Sequence, residues 1–152
     1  MKKILVITTG GTIAMKKDRE TGGLIPAVSG KDLAAAVPGL AHYADLDVLE
    51  FSNKPSGWMT AADMFELSKL IDRLADTDQA DGFVITHGTD TLEETAFFLE
   101  AVLKTEKPVC VTGAMRGASD LSADGPANIL AAVRTAASGE SIGCLLYTSP
   151  SP

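Results

Sequence analysis

The sequence predicts an α/β domain, a mainly parallel sheet flanked by helices. Short apolar runs rich in β-branched residues alternate with segments of helical period, the pattern left by βαβ units. The three clearest runs end alike, in "VITTGGT", "VITHGTDT" and "VCVTGAM", each passing through threonine into a glycine-containing turn. The chain has 152 residues, 45% of them hydrophobic, which suits one ordinary globular domain.

Taken in order, Ile4 to Ile7 is an aliphatic run without polar alternation, as expected of a strand covered on both faces. Gly10 and Gly11 end it and let other atoms approach the main chain. The stretch from Lys16 to Gly30, with its "TGG" and proline, reads as a loop or hairpin. Asp45 to Phe51 alternates as a half-exposed strand. Thr60 and Asp63 have capping-box spacing, ahead of a helix with Met64, Leu67, Leu70, Ile71 and Leu74 on one face. Gly82 to Thr86 is a second buried-type strand, and Thr91 to Lys104 a helix with Leu92, Ala96, Leu99 and Leu103 in one stripe. Pro108 to Thr112 repeats the strand pattern. Asp124, Gly125 and Pro126 form a cap and first turn for a third helix running to Ala137.

A formal net charge of -7 argues against a general nucleic-acid or membrane-surface binder, whose contacts need clustered Lys and Arg. The expected partners are small molecules or further copies of the chain. Cys110 and Cys144 are the two cysteines, too few for a disulfide framework, and a reducing compartment fits them. The opening "MKKILVITTGG" has too short an apolar run for a secretory signal, so a cytoplasmic location is expected. No run approaches membrane-spanning length.

Parallel strands send their following turns to one edge of the sheet, where α/β folds bind ligands. Thr12, Thr89, Asp90 and the turn at Ala114 are therefore expected to converge, among glycine turns whose N–H groups can stabilise an oxyanion.

Three blocks, "TTGGTIA" (Thr8 to Ala14), "DGFVITHGTDTLEETAFFL" (Asp81 to Leu99) and "VTGAMRGASDLSADGPAN" (Val111 to Asn128), resemble the bacterial L-asparaginase and glutaminase family. The resemblance implies the N-terminal α/β domain of a two-domain fold, usually assembled as a homotetramer, and hydrolysis of the Asn side-chain amide through an acyl-enzyme without a cofactor. By the same resemblance Thr12 is the nucleophile. Thr89 assists water activation or proton transfer, and Asp90 holds the substrate α-amino group. Ser56 holds the α-carboxylate, the backbone carbonyl at Ala114 accepts from the amide nitrogen, and Gly11 and Gly88 line the substrate site. L-Asparagine is the expected substrate, with L-glutamine the alternative.

Departures accompany the match. No tyrosine occurs between Ala14 and His42, where the family often has a partner for the nucleophile, and Gly57 follows Ser56 where many members carry glutamine. The resemblance runs to about Gly143. Residues 1–143 are read as an incomplete N-terminal domain, and residues 144–152, "CLLYTSPSP", as a non-family tail, with the family's catalytic lysine and second domain lying beyond. On this reading the chain alone is inactive.

Other polar residues have plainer expectations. His87 is read as a structural hydrogen-bonder rather than a general base, and Arg116 as an ion-pair partner holding its loop. Trp58 and Met59 are read as packing residues. Asp63, Asp72, Glu93 and Glu94 are read as caps or solvated faces. Two histidines and two cysteines without ligand spacing give no metal site. The competing function classes are a non-catalytic small-amino-acid or anion binding module and the ammonia-generating subunit of a tRNA amidotransferase.

Overall fold

The computed structural model describes residues 1–10, 13, 15–17, 22, 24–26, 35–117, 120–141 and 145–148, with 15–17, 24–26 and 145–148 given by their backbone. Five parallel strands form the main sheet: β1 (Lys3–Thr8), β4 (Asp45–Glu50), β5 (Gly82–Thr86), β6 (Val109–Thr112) and β7 (Leu145–Thr148). Their spatial order is β4-β1-β5-β6-β7. Between β1 and β4 lies an antiparallel hairpin of β2 (Met15–Lys17) and β3 (Leu24–Pro26), within the stretch read as a loop or hairpin. Residues 18–21, 23 and 27–30 of that stretch lie outside the described residues.

Burial on both faces explains the unbroken apolar runs of the central strands. Ile4, Val6, Val84 and Cys110 pack on one side against Ile129, Ala132, Val133 and Ala136 of helix α3 (Gly125–Ala137). Leu5, Ile7, Phe83, Ile85, Val109 and Val111 face the other side. There they meet Leu67, Ile71 and Leu74 of α1 (Ala61–Asp76) and Leu92, Ala96 and Leu99 of α2 (Leu92–Val102). Strand periodicity thus splits each run between two cores. The edge strand β4 is half-exposed as expected. Its Val48 N–H donates to the carboxylate of its own neighbour Asp47 at 2.9 Å.

The capping box of α1 is present: Asp63 N–H donates to Thr60 Oγ1, and the Asp63 carboxylate accepts from Thr60 N–H at 3.0 Å. Hydrogen bonding to Lys54, then to the Thr60 backbone and hydroxyl, lowers the Asp63 pKa to about 2. At the other end of α1, Lys107 Nζ donates to the carbonyls of Ala75 and Ala80 and to Asp78 Oδ1. A cation there suits the helix dipole. Asp72 Oδ1 accepts from the N–H groups of Lys104 and Thr105 just past α2.

Several expectations change. Asp124 precedes α3, but its side chain makes no cap hydrogen bond to the helix. The carboxylate turns instead to the loop after β6. Trp58, read as packing, is 72% exposed. Arg116 holds its loop by donating to the Ser122 carbonyl at 3.2 Å, rather than through an ion pair among the described residues. Leu145–Thr148, inside the segment read as a tail, pairs along β6 as β7. Cys144 and residues 149–152 lie outside the described residues. Among the described residues, no helix is long and apolar enough to cross a membrane.

Candidate active site at the carboxyl edge of the sheet

After β1 the chain crosses to one side, to β4, and then to the other, to β5. Strand order therefore reverses at the β1/β5 pair. A doubly wound sheet opens its ligand crevice at that point, because the turns after the two strands depart in opposite directions.

The turn after β1 is tied to its neighbours on both sides. Thr9 N–H and Oγ1 both donate to the Thr86 carbonyl, at 3.1 and 2.9 Å, joining the exits of β1 and β5. On the β4 side the Thr9 carbonyl accepts from Lys54 N–H and from Ser52 Oγ. Gly10 has φ +134°, and a Cβ there would come within 2.3 Å of the Lys54 carbonyl oxygen. Only glycine combines that dihedral with that approach. Gly11, Thr12 and Ala14 lie outside the described residues. Ile13, the chain neighbour of Thr12, is buried, and a Cβ on Gly125 would lie 3.3 Å from its Cγ1 and 3.6 Å from the Ala114 Cβ. Ile13 thereby lies beside the third turn.

The turn after β5 meets the loop after β4. Ser56 is buried in a 3-10 turn, Ser56–Trp58, and its Oγ accepts from Asp90 N–H at 3.2 Å. Thr91 Oγ1 donates to the Ser56 carbonyl at 2.8 Å. Because its oxygen is the acceptor in the Asp90 bond, the Ser56 hydroxyl keeps its proton to donate to a further group. Gly88 makes the contact possible: a Cβ there would sit 2.6 Å from Ser56 Oγ. Thr89 is half-buried and Asp90 exposed, both in the 3-10 turn leading into α2. Gly113 closes the group from the other side, since a Cβ there would lie 3.2 Å from Thr89 Cγ2 and 3.0 Å from the His87 carbonyl oxygen. Ser56, Gly88, Thr89, Asp90 and the turn at Ala114 thus form one contiguous cluster.

His87 is buried beneath this cluster. Its Nδ1 lies 2.7 Å from the Gly88 carbonyl and its Nε2 2.9 Å from Thr95 Oγ1. A carbonyl can only accept, so Nδ1 carries the proton and Nε2 accepts from the threonine hydroxyl. Burial lowers the His87 pKa, with the Gly88 hydrogen bond working the other way. This neutral ring, closed in by protein on both nitrogens, supports the turn and has no free basic atom.

Sequence reasoning missed the bracing of the third turn. The Asp124 carboxylate accepts from Met115 N–H (3.0 Å) and Arg116 N–H (2.9 Å), and Asn128 Nδ2 donates to the Gly113 carbonyl (2.9 Å) and to Asp124 Oδ2 (3.3 Å). The "DGPAN" string read as a helix start contains both side chains. The threonines of the three similar strand ends, Thr8, Thr86 and Thr112, stand side by side as the last rung across β1, β5 and β6.

The family profile described as "Asparaginase, N-terminal" matches residues 3–149. L-asparaginase 2-1 of Saccharomyces cerevisiae is 45% identical over 145 residues, 94% of this chain and 40% of the relative. L-asparaginase 2 of Escherichia coli is 43% identical over 139 residues, 90% of this chain and 39% of the relative. The crystal structure of a probable cytoplasmic L-asparaginase from Campylobacter jejuni superposes with a TM-score of 0.82 at 36% identity, covering 97% of this chain and 44% of that one. The chain spans about two fifths of the length of the curated relatives it matches.

Proposed function

This chain belongs to the asparaginase family, matching its N-terminal domain, and from that premise we propose that it carries the reactive turns of an amidohydrolase converting L-asparagine to L-aspartate and ammonia. The observation that carries the reading is the contact between Ser56 and the Gly88–Asp90 turn beside the β1/β5 switch point. It brings a hydroxyl donor to the backbone of a residue that carries a carboxylate, and the two groups together would complement a zwitterionic amino acid.

In this reading Ser56 donates to the substrate α-carboxylate and Asp90 receives the α-ammonium, with Gly11 and Gly88 leaving room for both. The Thr12 hydroxyl adds to the side-chain amide carbon, and its proton reaches the departing nitrogen. The C–N bond breaks and ammonia leaves an ester on Thr12. Water, deprotonated with the help of Thr89, then cleaves that ester, releasing L-aspartate and restoring the threonine. A threonine hydroxyl is a weak nucleophile, so oriented N–H donors for the developing oxyanion carry much of the rate. The chemistry calls on no cofactor or metal. The domain is proposed to work within a homo-oligomeric cytoplasmic enzyme that also has a second domain.

The test is ammonia release from L-asparagine by the protein as produced from its gene. Thr12→Ala and Thr89→Ala are each expected to lower kcat by roughly a thousand-fold or more. Wild-type rates in Thr12→Ala remove the nucleophile assignment, and tight L-asparagine binding without turnover turns the site into a binding module. Ammonia assays with L-glutamine decide the side-chain preference, and light scattering decides the oligomer.

A further inference from the structure

The peptide planes around Ala114 are held from one side. Asn128 Nδ2 donates to the Gly113 carbonyl at 2.9 Å, and the Asp124 carboxylate takes the Met115 and Arg116 N–H groups at 3.0 and 2.9 Å. Peptide bonds among the described residues are trans. In a trans peptide the N–H and C=O point in opposite directions across one plane. The Gly113–Ala114 plane shows its carbonyl to Asn128, so it turns the Ala114 N–H away. The next plane shows the Met115 N–H to Asp124, so it turns the Ala114 C=O away as well. Two side chains at the start of α3 thus fix the direction of a carbonyl that neither of them touches. Asn128 also donates to Asp124 Oδ2 at 3.3 Å, tying the pair together.

We propose that Asp124 and Asn128 are positioning residues that aim the Ala114 carbonyl at the departing amide nitrogen, an inference that rests on the amidohydrolase reading above. The nitrogen gains a proton as the C–N bond breaks. Its hydrogen bond to a fixed carbonyl therefore strengthens toward the transition state, and a carbonyl free to rotate loses that differential gain. The carboxylate suits this work because it offers an acceptor oxygen to each of two successive N–H groups. A carboxamide offers one oxygen and sets its NH2 against the second N–H.

The experiment is steady-state kinetics on L-asparagine, with calorimetric binding of L-aspartate, for wild type, Asp124→Asn and Asn128→Ser in the protein as produced from its gene. L-Aspartate has both α-substituents but no amide nitrogen. Asp124→Asn is expected to lower kcat about 10-fold or more, with KM and the L-aspartate Kd within about three-fold of wild type. Asn128→Ser is expected to show the same selective loss, to a smaller extent. An unchanged kcat in both variants overturns the proposal, and so does a kcat loss matched by an equal loss of L-aspartate affinity, the mark of a merely structural role. Should Asp124→Asn fail to fold, Asn128→Ser decides by the same criteria. A wild type that releases no ammonia brings down the amidohydrolase reading itself; an active wild type beside an unaffected pair of variants brings down only the brace.

Discussion

Two buried side chains at the exit of β5 make opposite predictions. His87 satisfies both ring nitrogens in its neutral form, and its pKa is lowered chiefly by burial, so the unfolded chain binds a proton there more readily than the folded one. Stability contributed by this residue is present above its ordinary pKa of about 6.5 and is lost as the pH falls from there toward the lowered value. Urea titrations between about pH 7 and 5 should show wild type weakening more than His87→Gln; parallel curves would refute the assignment. Among the described residues, the fully buried Thr86 hydroxyl has no hydrogen-bond partner. Valine keeps the shape and removes the orphan oxygen, so Thr86→Val is expected to raise Tm by roughly 2–4 °C, on the scale of about 1 kcal/mol. A lower Tm in calorimetry would mean that the hydroxyl has a partner after all. Neither buried histidine nor orphan hydroxyl can be told from sequence, because "ITHG" reads the same whether the ring is enclosed or open.

Secondary elements were the most legible level, and the reasons are local. The Thr60/Asp63 spacing marks the start of α1 because both halves of the capping box lie within four residues. Thr60→Ala is expected to cost about 1 kcal/mol in urea denaturation, and an unchanged midpoint would show that tertiary packing alone sets the helix start. Asp124 stands at the N-cap of its helix as read, but the N–H groups its carboxylate serves lie eight and nine residues upstream, outside any local pattern. The same holds for the glycines. "HGTDT" signals a turn, but only the fold shows that Gly88 faces Ser56. Gly88→Ala would force Ser56 away from Asp90, and KM for L-asparagine is expected to rise about 10-fold or more at near-normal folding. A KM at the wild-type value would show that the serine does not hold substrate.

At the scale of the whole molecule, alternation of runs and helices was enough for the parallel sheet, and the similar strand ends were enough to bring Ser56's neighbours Thr89 and Asp90 to the Ala114 side. Strand order was not legible. That β1 and β5 flank the reversal depends on which side each crossover takes, a choice made by packing of whole helices on two cores. Charge acts at this scale too. With a formal net charge of -7, the protein is expected to pass unretained through heparin or DNA resin at low salt, and retention would reveal a basic face. The carboxylate of Asp47 on β4 has a consequence of the same reach. It occupies the Val48 N–H at the rim of the sheet, where a stranger's backbone would otherwise zip on, and so blunts strand-by-strand growth into fibrils from that side. Swapping it for alanine should leave chemistry intact yet shorten the lag before thioflavin-positive aggregates form on agitation.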